Sequence, residues 1–82
     1  MVGVTGIVIE KWSEKPIHEA IVWIGDQEII TDENGRFSID IPLGEVFVRI
    51  NKDGYKEGVF SLQTVSETEF TLILEPLFGA LA

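Results

Sequence analysis

The segment "TDENGRFSI" carries residue types that could bind calcium. An EF-hand loop needs oxygen ligands at its first, third and fifth positions, glycine at the sixth and a bidentate glutamate at the twelfth. Asp32, Asn34 and Gly35 match the third, fifth and sixth positions, but the same register puts Ile30 first and Ile41 twelfth. Neither isoleucine can bind a cation, so we predict no metal site. We expect a tight turn in which the polar side chains bond backbone amides and the glycine has a positive φ.

The residues that could support hydrolysis do not form a recognisable catalytic pattern. His18 is the only histidine, the chain has no cysteine, and no serine stands in the glycine-flanked context of a nucleophile elbow. Acidic pairs could serve a glycosidase only across a cleft, and acids that alternate along strands usually form a solvated face. The acidic pairs are Asp26 and Glu28, Asp32 and Glu33, and Glu67 and Glu69. We therefore predict a protein that is not an enzyme and that needs no cofactor.

Aromatic side chains offer the other possible chemistry, because their faces stack on sugar rings and on protein partners. Trp12 and Tyr55 are the candidate ligand aromatics. Trp12 could instead cap the open end of the fold. Trp23 alternates with Val22 and Ile24, so it faces outward if those two are in the core. External contact and coverage by the chain's own tail are both open for Trp23.

Composition excludes several classes of partner. The net charge is −8, from fourteen acids against six scattered bases, so the chain would repel nucleic acids. It has no apolar run long enough to cross a bilayer, and we expect no membrane insertion. The first residues lack the basic and apolar regions of a signal peptide. The compartment stays open, and would be extracytoplasmic if the chain is excised from a larger surface protein.

The elements that would position these residues are all strands. Nearly every segment alternates with a two-residue period and is rich in β-branched and aromatic residues, and turn residues separate the segments. The predicted strands lie near 3–10, 19–25, 28–31, 35–41, 45–51, 58–63 and 68–75. Short turns favour antiparallel neighbours. We predict an all-β, seven-stranded antiparallel β-sandwich forming a single domain over 1–82, with its core in 3–76 and an apolar tail in 77–82.

Several motifs together resemble those of the carboxypeptidase regulatory-like domain, a prealbumin-like (transthyretin-like) β-sandwich. The resemblance covers residues 4–77. It rests on Gly6 and Val8, on Pro16, Ala20 and Val22, on Thr31, Asp32, Gly35 and Phe37, and on Gly54 and Tyr55. It implies a non-catalytic accessory module of a larger protein. The hydrolase branch of the transthyretin-like class carries several histidines and a C-terminal Tyr-Arg-Gly-Ser, which this chain lacks.

Alternation along the strands predicts two sets of apolar side chains. The core set is Val8, Val22, Ile24, Phe37, Ile39, Ile41, Val48, Ile50, Leu72 and Leu74. The outward set, our candidate interaction surface, is Ile7, Ile9, Ile21, Trp23, Phe47 and Ile73. So many outward apolar residues predict a face that is covered by the "PLFGALA" tail folding back, by another domain or by a second copy of the chain. We therefore expect a structural or docking module that contacts a protein partner, a neighbouring domain or a second copy, with a carbohydrate-binding module as the alternative.

Overall fold

The computed structural model describes residues 2–65 and 68–77, and this part of the chain is all-β. Its strands are β1 (Val2–Glu10), β2 (Ile21–Ile24), β3 (Gln27–Ile30), β4 (Arg36–Ile41), β5 (Glu45–Asn51), β6 (Gly58–Gln63) and β7 (Glu69–Leu74). Each matches a strand predicted from the alternating pattern, with boundaries that differ by at most two residues. The predicted apolar tail, apart from Leu77, lies outside the described residues.

The strands form two sheets. One has three strands in the order β4-β1-β7, and the other has four in the order β3-β2-β5-β6. All pairings are antiparallel except that of β1 with β7, which is parallel. The expectation of a wholly antiparallel fold is therefore wrong at this pair. Short turns constrain the direction of consecutive strands only, and β1 and β7 lie at opposite ends of the chain.

Both sheets contribute to one hydrophobic core, an arrangement compatible with a β-sandwich. The predicted core residues are buried, except that Ile39 is only partly buried where it packs on the core. Ile39 lies beside the edge strand β3, whose Gln27 side chain donates to the Asp40 carbonyl over 3.0 Å. The sequence prediction missed four other core residues, namely Val4, Ile17, Ala20 and Leu62.

The segment "TDENG", residues 31–35, forms the predicted turn between β3 and β4. The Asp32 carboxylate accepts hydrogen bonds from the backbone amides of Asn34 (2.8 Å) and Arg36 (2.9 Å). These bonds lower the pKa of Asp32 because they stabilise its charged form, and the bond from Arg36 contributes most. Gly35 has a φ of 71°, as the turn requires. The backbone explanation of this segment is therefore confirmed.

The residue before this turn fixes a loop that alternation could not place. Thr31 is buried, and its hydroxyl donates to the Ile17 carbonyl (2.7 Å) and accepts from the Ala20 amide (2.9 Å). These bonds hold the segment before β2 against the end of β3. As a result, Ile17 and Ala20 enter the core although neither belongs to a strand.

Candidate functional site

The six residues of the candidate interaction surface lie on two different sheets. Ile7, Ile9 and Ile73 belong to β1 and β7 of the three-stranded sheet, where Ile9 and Ile73 are paired neighbours. Ile21, Trp23 and Phe47 belong to β2 and β5 of the four-stranded sheet. None of the six is fully buried. They therefore form two separate surfaces.

The larger surface is the outer face of the four-stranded sheet. Cross-strand pairing brings Ile30 beside Ile21, and Val59 beside Arg49, which is itself paired with Trp23. We call the resulting group of five residues the apolar face: Ile21, Trp23, Ile30, Phe47 and Val59. Phe47, Val59 and Ile30 are 65%, 67% and 55% exposed, so the described residues leave much of the apolar face uncovered. The sequence prediction did not include Ile30 and Val59 in the interaction surface. The cross-strand register identifies them as members of it.

Trp23 is held in place at the centre of the apolar face. Its indole Nε1 donates to the Glu28 carboxylate over 3.1 Å. The guanidinium of Arg49 lies 4.9 Å from the ring centroid, in cation–π contact. Arg49 Nε in turn lies 3.6 Å from a Glu57 carboxylate oxygen. An aromatic side chain fixed in this way loses little conformational entropy when a partner contacts it.

Acidic side chains surround the apolar face. Glu28 lies on the β3 edge, Glu57 pairs with Arg49, and Glu45 lies on β5 two residues before Phe47. The Glu45 carboxylate accepts hydrogen bonds from the Ser61 hydroxyl (3.1 Å) and from the side-chain amide of Gln63 (3.3 Å). Arg49 is the only basic residue in the strands of this sheet, β2, β3, β5 and β6. The apolar face is therefore bordered by negative charge.

The outer face of the three-stranded sheet is more polar. Its outward side chains include Thr5, Arg36, Ser38, Asp40, Glu69 and Thr71, besides Ile7, Ile9 and Ile73. A shallow depression of about 360 Å³ lies there among Thr5, Ile7, Arg36 and Glu69. Apolar residues are concentrated at one end of this face, between β1 and β7. This face is therefore the weaker candidate for apolar docking.

The candidate ligand aromatics Trp12 and Tyr55 lie at the same end of the fold. The Tyr55 hydroxyl donates to one Glu10 carboxylate oxygen over 2.5 Å, and Ser13 donates to the other over 2.5 Å. Tyr55 is half-buried against the core, whereas Trp12 is 55% exposed and has a φ of 76°. The Lys11 ammonium lies 5.0 Å from the Trp12 ring centroid. Of the two aromatics, Trp12 has more surface available to a ligand.

Glu10 shifts the pKa of Tyr55. Its hydrogen bond, burial and the carboxylate charge together raise the pKa of Tyr55 from 10.0 to about 12. A raised pKa in the folded state means that this contribution to stability is complete below pH 10 and is lost as the pH approaches 12. The bonds from Ser13 and Tyr55 lower the pKa of Glu10, so its contribution is present above its ordinary value of 4.5 and is lost as the pH falls through the lowered value.

Titration of the phenolate absorbance should report this bond directly, because Tyr55 is the only tyrosine. We expect a midpoint about 12 in the native chain. In Glu10→Gln the midpoint should move toward 10, because the hydrogen bond to the carboxylate, the largest cause of the raised pKa, and the carboxylate charge are both removed. Glu14→Gln removes a nearby exposed carboxylate and is the matched control. Identical midpoints in the native chain and Glu10→Gln would rule out the bond in solution.

The described ranges contain no group of three or more metal-binding side chains and no helix that could span a membrane. His18 is exposed, and its Nε2 lies 3.7 Å from a Glu19 carboxylate oxygen. A scan of protein-family models returned no match to this chain, and a search of curated proteins found no similar sequence.

Proposed function

We propose that this chain is a non-catalytic β-sandwich module that docks onto a protein partner or a neighbouring domain through its apolar face. The observation that supports this is the contiguity of the five apolar side chains. They project from β2, β3, β5 and β6. Hydrogen-bonded register pairs Ile30 with Ile21 and places Trp23 and Val59 on either side of Arg49. Phe47 lies on the same face of β5, two residues before Arg49. Contiguous apolar patches of this kind tend to mark contacts with another macromolecule.

The composition of the apolar face also suits binding. Burial of a large apolar side chain contributes about 1.5–3 kcal/mol, so Phe47 and Val59 leave a substantial free energy unused in the isolated chain. Tryptophan and arginine are enriched among residues that dominate interface energetics, and Trp23 and Arg49 stand together at the centre. Three glutamates at the border supply the polar rim that interfaces commonly have.

We also propose that the module is a carboxypeptidase regulatory-like domain with a prealbumin-like fold. The residues that carry the resemblance make specific contacts, which supports this proposal. Phe37 lies against Gly6, the Thr31 hydroxyl holds the loop that contains Ile17, and Gly35 lies against β1. Gly6, Thr31, Gly35 and Phe37 are therefore motif positions where a substitution would disturb the packing of the fold.

Docking through the apolar face predicts which substitutions weaken binding. A photo-cross-linking residue at position 47 should attach the protein to its partner, whereas one at position 73 on the other sheet should not. Against the partner so identified, the double variant Phe47→Ser, Val59→Ser should raise the Kd about tenfold or more, because two exposed anchors are lost. Both side chains are mostly exposed, so thermal stability should change little.

The matched control is Ile73→Ser, which removes an apolar side chain that is 49% exposed on the three-stranded sheet. It should leave the Kd unchanged. If this variant weakens binding as much as the double variant does, the apolar face is not the docking surface.

The alternative function is carbohydrate binding, and the exposed ring of Trp12 is the observation that favours it. Aromatic faces that are open to solvent stack on sugar rings. A glycan that shifts the tryptophan emission, with a shift lost in Trp12→Ala and kept in Phe47→Ser, would support this function over protein docking.

A further inference from the structure

We propose that the partner of the apolar face is a basic amphipathic helix, with an apolar stripe flanked by lysine or arginine. This inference rests on the proposed docking function and specifies the chemistry of the partner.

Most charges at the border of the apolar face are negative. Within residues 2–65 and 68–77, the hydrogen-bond partners of Glu28 and Glu45 are neutral groups, namely the Trp23 indole and the side chains of Ser61 and Gln63. Arg49, the one cation within β2, β3, β5 and β6, is already engaged by Glu57 and by the Trp23 ring. Lys52, which follows β5, lies near Ile21 together with the acidic residues Glu19 and Asp53. A docked helix would therefore find carboxylates available on the β3 edge and near the start of β5. Lysine or arginine beside its apolar stripe would complement both.

A second copy of the chain fits this surface poorly. Each copy carries a net charge of −8, and face-to-face packing would place three glutamates of each copy around one interface. Like charges that are brought together at an interface repel each other and suppress the wrong pairing. The negative border therefore favours a partner of opposite charge.

The dimensions of the apolar face suit a short helix. Four strands at about 4.8 Å spacing span roughly 15 Å, and the distance along β5 from Phe47 to the level of Ile21 is about 13 Å. About ten residues of α-helix, at 1.5 Å rise per residue, cover that length. Such a helix presents apolar side chains at i, i+3, i+4 and i+7. These are enough to contact Phe47, Trp23 and the paired Ile21 and Ile30.

The test uses synthetic 14-residue helices with one leucine face and a polar face of lysine, glutamine or glutamate. We expect the lysine peptide to bind the native chain more tightly than the other two peptides do. Its affinity should fall as the salt concentration increases. Glu28→Gln with Glu45→Gln should raise its Kd about threefold to tenfold. Phe47→Ser should also weaken binding although it leaves the charge unchanged.

The matched control removes the same charge from the other sheet, by Asp40→Asn with Glu69→Gln. If this control weakens binding of the lysine peptide as much as Glu28→Gln with Glu45→Gln does, the attraction is unspecific and the inference fails. Equal binding of all three peptides with dependence on Phe47 would overturn the basic partner and leave docking intact. If none binds and sedimentation shows a dimer that Phe47→Ser dissociates, the partner is a second copy.

Discussion

Replacing Phe37 by alanine is expected to lower the free energy of unfolding by about 3–5 kcal/mol, the usual effect of removing a buried phenylalanine ring. A domain of this size has a total stability about as large, so much of the population should unfold. Phe37 is 4% exposed and extends from β4 into the shared core. Its ring lies where a side chain at position 6 would be, since a Cβ on Gly6 would come within 2.3 Å of the Phe37 Cζ.

Denaturant unfolding, followed by tryptophan fluorescence, measures this effect. Phe37→Leu should give a smaller loss than Phe37→Ala and keeps the measurement possible if the alanine variant does not fold. Phe47→Ala is the matched control, because it removes the same ring from a site that is 65% exposed. It should change stability by less than about 1 kcal/mol. Equal midpoints for Phe37→Ala and the native chain would show that the assigned packing of Phe37 is wrong.

Replacing Gly35 by alanine is expected to destabilise the fold by about 3 kcal/mol, for two separate reasons. The residue has a φ of 71°, which costs an L-residue with a side chain about 1–2 kcal/mol. In addition, a Cβ would lie 2.6 Å from the Val8 carbonyl oxygen and 3.0 Å from the Ile17 nitrogen. These are backbone atoms, and they bond each other over 2.9 Å, so relief would require β1 and the following loop to separate.

Gly25→Ala isolates the first reason, the positive φ, so the difference between the two variants measures the second. Gly25 has a similar φ of 58°, but a Cβ there would meet nothing within 4 Å. Its substitution should cost only the backbone contribution, about 1–2 kcal/mol. Melting of both variants by circular dichroism gives the comparison. If the two substitutions shift the melting temperature equally, close contact between Gly35 and β1 does not contribute to stability.

The sequence by itself determined the local features of this protein. Alternation indicated the strands and the facing of each side chain, because successive residues of a strand point to opposite sides whatever the strand pairs with. The turn at Asp32 and Gly35 was equally readable, since its hydrogen bonds join residues at most four apart. These features depend on near neighbours in the chain, which a sequence displays.

Only the tertiary structure decided which strands became neighbours. Ile7 and Trp23 both face outward, yet they lie on different sheets, and Ile30 and Val59 join the apolar face only because β3 and β6 flank β2 and β5. The parallel pairing of β1 with β7 and the burial of Ile17 likewise depend on contacts between distant segments. The physical reason is that a two-residue period fixes the side of a strand, whereas strand order and direction follow from the free energy of packing the whole core.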